Sequence, residues 1–162
     1  MAKQKKDGNI LEKFIQGIEK HTDPQRIAKA KQMLKASRFQ LFSEYNEKYL
    51  SGVVKSQTDP TLVYSCKIDQ DGNFACCTQN LNSCGGLRGK PCKHILVLLI
   101  GLVQAGEVQP EVMHQWILKT KANAPRLNKD AMSEIFLRYK GAEAGELDWR
   151  PTETIPEDYY AL

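Results

Sequence analysis

At 162 residues the chain has room for one ordinary domain with a real hydrophobic core, not for two large ones. Its 41% hydrophobic and 26% charged residues are globular proportions that exclude wholesale disorder, and its longest apolar run, the nine residues from Ile95 to Val103, is far below the roughly 18 to 20 that span a bilayer. The net charge of +4 is uneven: residues 1–48 carry eleven Lys/Arg against six Asp/Glu, whereas residues 141–162 carry Arg150 alone against six acids.

A basic front and an acidic back suggest an electrostatic contact, within the molecule or with a partner, although two solvated ends would look the same. The start, MAKQKKDGN, is charged and has no apolar signal core. The expected compartment is therefore the cytoplasm, where thiols stay reduced and a metal site is a better expectation than a disulfide.

In chain order, Ile10, Leu11, Phe14, Ile15 and Ile18 recur at helical spacing and predict a helix over roughly 9–20. Asp23-Pro24 is an N-cap and first-turn pair. It opens a second helix with Ile27, Ala30, Met33 and Leu34 inward and Arg26, Lys29, Lys31 and Lys35 outward. That outer face is either simple solubility or a phosphate-contacting patch. Beyond Phe39 the pattern changes. Tyr49, Leu50, Val53 and Val54 predict a strand, and SQTDP (56–60) is turn chemistry. Leu62, Val63, Tyr64, Cys66 and Ile68 predict a second strand, the Asp71-Gly72 turn a hairpin, and Phe74 to Cys77 its return.

Pro91 prepares a helix that is apolar on nearly every face and ends at Gly106. Pro110 opens another with Val112, Met113, Trp116, Ile117 and Leu118, which NAPRLN breaks. Asn128 can cap a last helix carrying Met132, Ile135, Phe136 and Tyr139. From Gly141 the pattern loses its period, with Trp149, Tyr159 and Tyr160 as aromatic anchors. The expected class is α+β: a small antiparallel sheet whose cysteine-rich loop leads into a buried helix, flanked by N- and C-terminal helices. The expected divisions are a basic helical segment (1–48), a strand-and-helix unit (49–106), a helical hairpin (107–141) and an extended acidic, aromatic tail (142–162).

The chemistry concentrates in CCTQNLNSCGGLRGKPCKH, residues 76–94, which holds four of the five cysteines and one of the three histidines. A structural zinc takes four tetrahedral ligands, mostly thiolate with some imidazole, often as two close pairs. Cys92 and His94 form one such pair at a helix start. Cys84 lies midway, Cys76 or Cys77 supplies the sheet end, and Gly85, Gly86 and Gly89 ease the turn of the loop. A nucleophilic Cys–His pair would not need four thiols and is the weakest reading. A thiol redox switch is a minor alternative.

A hairpin bearing cysteines, a loop, and then PCKHILVLL resembles a SWIM zinc finger, whose pattern is C-x-C, a variable loop, and C-x-H leading into an apolar helix. The likeness spans roughly residues 49–104, so the unit at 49–106 is SWIM-like, of the stand-alone bacterial kind. The first half departs from the pattern: ACCTQ puts Thr78 where the second thiolate belongs, and Cys84 is the substitute.

Adjacent strand residues face opposite sides, so Cys76 shares the side of Phe74 and Cys77 does not. The resulting ligand set is Cys76, Cys84, Cys92 and His94, with Cys77 as the alternative to Cys76, around one structural zinc. Cys66, one strand away, reads as a small buried residue. His21 and His114 have no ligand-spaced partners. The resemblance implies a binding module, not an enzyme. Its leading form is a protein-interaction adaptor in a larger, multi-component assembly. The alternative is nucleic-acid binding through the basic N-terminal helices and Arg88, Lys90 and Lys93 around the loop. Neither a membrane nor a small-molecule substrate is expected.

Overall fold

The computed structural model describes residues 2–36, 38–87 and 89–143. In chain order the elements are α1 (Ala2–Glu19), α2 (Pro24–Ala36), β1 (Gln40–Tyr45), β2 (Tyr49–Lys55), β3 (Val63–Asp69), β4 (Phe74–Thr78), α3 (Lys93–Gln104), α4 (Pro110–Thr120) and α5 (Lys129–Glu143). The four strands form one antiparallel sheet in the order β1-β2-β3-β4, flanked by helices, so the fold is α+β.

Period-two alternation sorts the strands' side chains between two cores. Leu50, Val54, Cys66, Ile68, Phe74 and Cys76 face α3, whose residues Ile95 to Ile100 are all buried. That helix is apolar all round because α1, α2 and α4 cover the sides the sheet does not. The opposite face carries Val53, Ala75 and Cys77 against Met132, Ile135 and Phe136 of α5. Gly52 packs tightly between β1 and α3: an added Cβ would lie 2.8 Å from Leu98 Cδ2 and closer still to the Phe42 carbonyl oxygen, so no side chain fits there without a shift.

The expected caps are present. Asp23 Oδ1 accepts a hydrogen bond from Gln25 N at 2.9 Å, and Asn128 Oδ1 from Ala131 N at 3.1 Å. Gly72 has φ of 83° in the β3–β4 turn, and Gly106 has φ of 74° just past α3.

Three features differ from expectation. The segment 1–48 is not wholly helical, because 40–45 is strand β1. Its register shifts between Gln40 and Phe42, which lets the neighbours Leu41 and Phe42 both pack on the α5 core and removes the alternation that would reveal a strand. The two helices of 107–141 do not form a hairpin. Met113, Trp116 and Ile117 of α4 join the α3 core, and α5 lies on the other face of the sheet. Between them the linker runs along the edge strand β4, where Arg126 N donates to Phe74 O. Finally, α5 continues through Gly141, which is buried, to Glu143. The expected tail anchors Trp149, Tyr159 and Tyr160 lie outside the described residues.

Candidate metal centre

Each residue of the cysteine-rich stretch is placed by a local backbone feature. Cys76 sits on β4 facing α3. A tight return, with Leu81 at φ 63° and Leu81 N donating to Thr78 O, doubles the chain back so that Cys84 N donates to Cys76 O at 2.9 Å. Seven intervening residues thus bring Cys84 beside Cys76. The loop then turns through Leu87, whose buried side chain anchors it, and Gly89 at φ 75°. Gly89 alone among the loop's three glycines uses the left-handed region that glycine favours. Arg26 of α2 holds the last stretch: its Nη1 donates to the carbonyls of Lys90 and Pro91 at 3.0 and 3.2 Å. Cys92 follows as the N-cap of α3 with no side-chain cap bond, so its sulfur is free for other work. His94 lies in the first turn.

These elements bring Cys76, Cys84, Cys92 and His94 together, with their donor atoms all within 4.8 Å of one another. His94 presents Nδ1, 3.5 Å from Cys84 Sγ and 3.8 Å from Cys76 Sγ. A tetrahedron with Zn–S of about 2.3 Å and Zn–N of about 2.05 Å has S···N edges of about 3.6 Å. The spacing and the donor set both fit such an ion. Burial is nearly complete, with Cys84 the most exposed member at 9%. The His94 ring stacks on Tyr64, centroids 3.9 Å apart, which fixes its plane.

The thiols are electrostatically unlike. Burial pushes Cys76 and Cys92 well above the ordinary thiol range. Hydrogen bonds from Cys76 and then Cys92, with a further one from His94, hold Cys84 far below it.

Cys77 faces away. It is buried with Ala75, Met132 and Phe136, lies 3.4 Å from Ser65 Oγ, and has its thiol raised mainly by burial. Cys76 and Cys77 thus lie on opposite faces of the sheet. Cys66 is the small buried residue expected, outside the four-donor cluster but beside it. It pairs with Cys76 across the strands, and its Sγ lies 3.6 Å from Cys76 Sγ. The hairpin turn carried that signal: with Asp71 at its centre, position 66 falls opposite 76.

His21 and His114 are remote from the cluster and meet each other between α1 and α4, ring centroids 5.7 Å apart. Burial, with a lesser contribution from Lys121, lowers the pKa of His21, and its Nδ1 has no hydrogen-bond partner among the described residues. Of the loop cations, Lys90 is exposed and Lys93 donates to Gln57 Oε1 at 2.8 Å, while Arg88 lies outside the described residues.

Fold and site define an α+β chain with a buried three-cysteine, one-histidine cluster close enough to bind a metal. No family model matches the sequence, and neither a curated protein nor a solved structure does. No helix among the described residues is long and apolar enough to cross a membrane.

Proposed function

We propose that this chain is a zinc-stabilised binding module of the SWIM type, in which Cys76, Cys84, Cys92 and His94 hold one zinc ion. The observation that carries this reading is the burial of four donors of the right chemistry, drawn from β4, its return loop and the start of α3, within 4.8 Å of one another. Three thiolates and an imidazole favour zinc over harder cations. Four protein ligands leave no position for water or substrate, which supports a structural metal and argues against an enzyme. Such an ion would tie the hairpin to the helix and link the sheet to its main covering element.

The module is read as a protein-interaction adaptor within a larger cytoplasmic assembly. The segregation of charge between residues 1–48 and 141–162 supports it, because an acidic end would repel phosphate. Nucleic-acid binding is the second reading, favoured by one observation: Arg26, Lys29 and Lys93 gather on a single cleft beside the cluster.

Elemental analysis of purified protein tests the metal, with one zinc per chain expected; a folded wild type without metal would sink the reading. Salt titration of binding to random duplex and single-stranded DNA separates the two partners. Steep salt dependence supports nucleic acid, and no binding at low salt leaves the adaptor.

A further inference from the structure

A cleft of about 410 Å³ lies against the cluster, with Cys84 and His94 in its lining. One wall is the first turns of α2, with Asp23, Gln25, Arg26 and Lys29; another is Ser56 and Thr58 of the β2–β3 loop; the floor is Tyr64, Cys84, Gly85 and Gly86, with Lys93 and His94 of α3. Three cations from two helices, Arg26, Lys29 and Lys93, thus line the cleft, with Asp23 as its one acid. That acid is already engaged, capping α2 through Oδ1 and lying 3.8 Å from Arg26 Nε through Oδ2. Neither Lys29 nor Lys93 makes an ion pair among the described residues. A divalent ion with three thiolates would add one negative charge beneath the cleft, which still leaves the walls net positive.

We propose that this cleft is a binding site for a phosphate group, carried either on a free nucleotide or on a nucleic-acid strand. The inference rests on the nucleic-acid reading for its ligand class and is independent of the metal's role. Cations and hydroxyls arrive from separate walls, an arrangement for a tetrahedral anion with several acceptor oxygens. Arg26 has part of its fork already engaged, since Nη1 donates to the Lys90 and Pro91 carbonyls. Lys29 and Lys93, the latter also donating to Gln57 Oε1, add point charges of the kind that bind phosphate. Gly85 leaves open space on the cleft floor, where a Cβ would meet no atom within 4 Å.

The test uses the zinc-loaded full chain and four probes: inorganic phosphate, adenosine monophosphate, a fluorescein-labelled eight-residue oligothymidylate and a hexaglutamate peptide. The phosphate probes are expected to bind, more weakly as salt rises, and hexaglutamate to bind worse. Equal affinity for monophosphate and oligonucleotide identifies a free nucleotide as the source; much tighter oligonucleotide binding identifies a strand. Lys29→Glu, at an exposed position that cannot upset the core, and Lys93→Gln should each weaken phosphate binding by about tenfold while zinc stays at one per chain. The proposal is overturned if no phosphate probe binds at low salt, or if hexaglutamate binds as well. It is equally overturned if the two variants lower zinc affinity but leave phosphate binding unchanged, since the lysines would then only balance the thiolates. A chain that binds phosphate but no zinc would sink the metal reading alone.

Discussion

Cys76 and Cys77 are neighbours of the same chemistry, both fully buried, and they belong to different regions of the molecule. One face of the sheet surrounds Cys76 with Cys66, Cys84, Cys92 and His94. The other surrounds Cys77 with Ala75, Met132, Phe136 and a serine hydroxyl. The contrast shows that burial does not define a metal site. A buried thiol is a small apolar side chain unless other soft donors converge on it.

The largest effect expected from breaking this contrast is at Cys92, which joins the cluster and begins α3. Cys92→Ser should abolish zinc binding and unfold or aggregate the chain, because metal binding free energy in such sites is folding free energy; circular dichroism and elemental analysis read it. Cys76→Ser should likewise lose zinc. Cys77→Ser should keep one zinc per chain and cost about 1–2 kcal/mol in chemical denaturation, from a hydroxyl placed among Met132 and Phe136. Equal zinc loss in both variants would end the distinction.

Acidification sharpens the same point. Zinc loading must displace the thiol protons that burial favours on Cys76 and Cys92. Affinity therefore rises with pH and falls as pH drops, by roughly two powers of ten per pH unit if two protons leave. Chelator competition across pH 6.5 to 8 measures the slope, and a pH-independent affinity would contradict the ligand set.

Smaller effects belong to the scaffold. Gly52→Ala must displace Leu98 or β1 and should cost about 1–3 kcal/mol, read from the denaturation midpoint. Arg138→Ala breaks the bidentate pair with Glu44 that ties α5 to β1. It should cost only about 0.5 kcal/mol, since the pair is solvent-exposed.

The legible parts were those with local causes. Helical periodicity marked Ile27, Ala30 and Met33 as a buried stripe, and they are buried. The Asp71-Gly72 turn marked the hairpin, and alternation from Phe74 separated Cys76 from Cys77. Strand β1 was hidden because its bulge places Leu41 and Phe42 on one side. The separation of α4 from α5 was hidden for another reason: an apolar stripe demands cover but does not say which face of a sheet supplies it.

By itself, then, the sequence determined what depends on neighbours along the chain: helix faces, caps, the hairpin turn and the parity of adjacent cysteines. Tertiary structure decided what depends on closing long loops. It brought Cys84 back along β4, set Cys66 against Cys76, and laid Arg26 of α2 across the loop ahead of Cys92. It also opened a cationic cleft over the cluster. Those contacts join residues as many as 65 positions apart, and no periodicity along the chain encodes them.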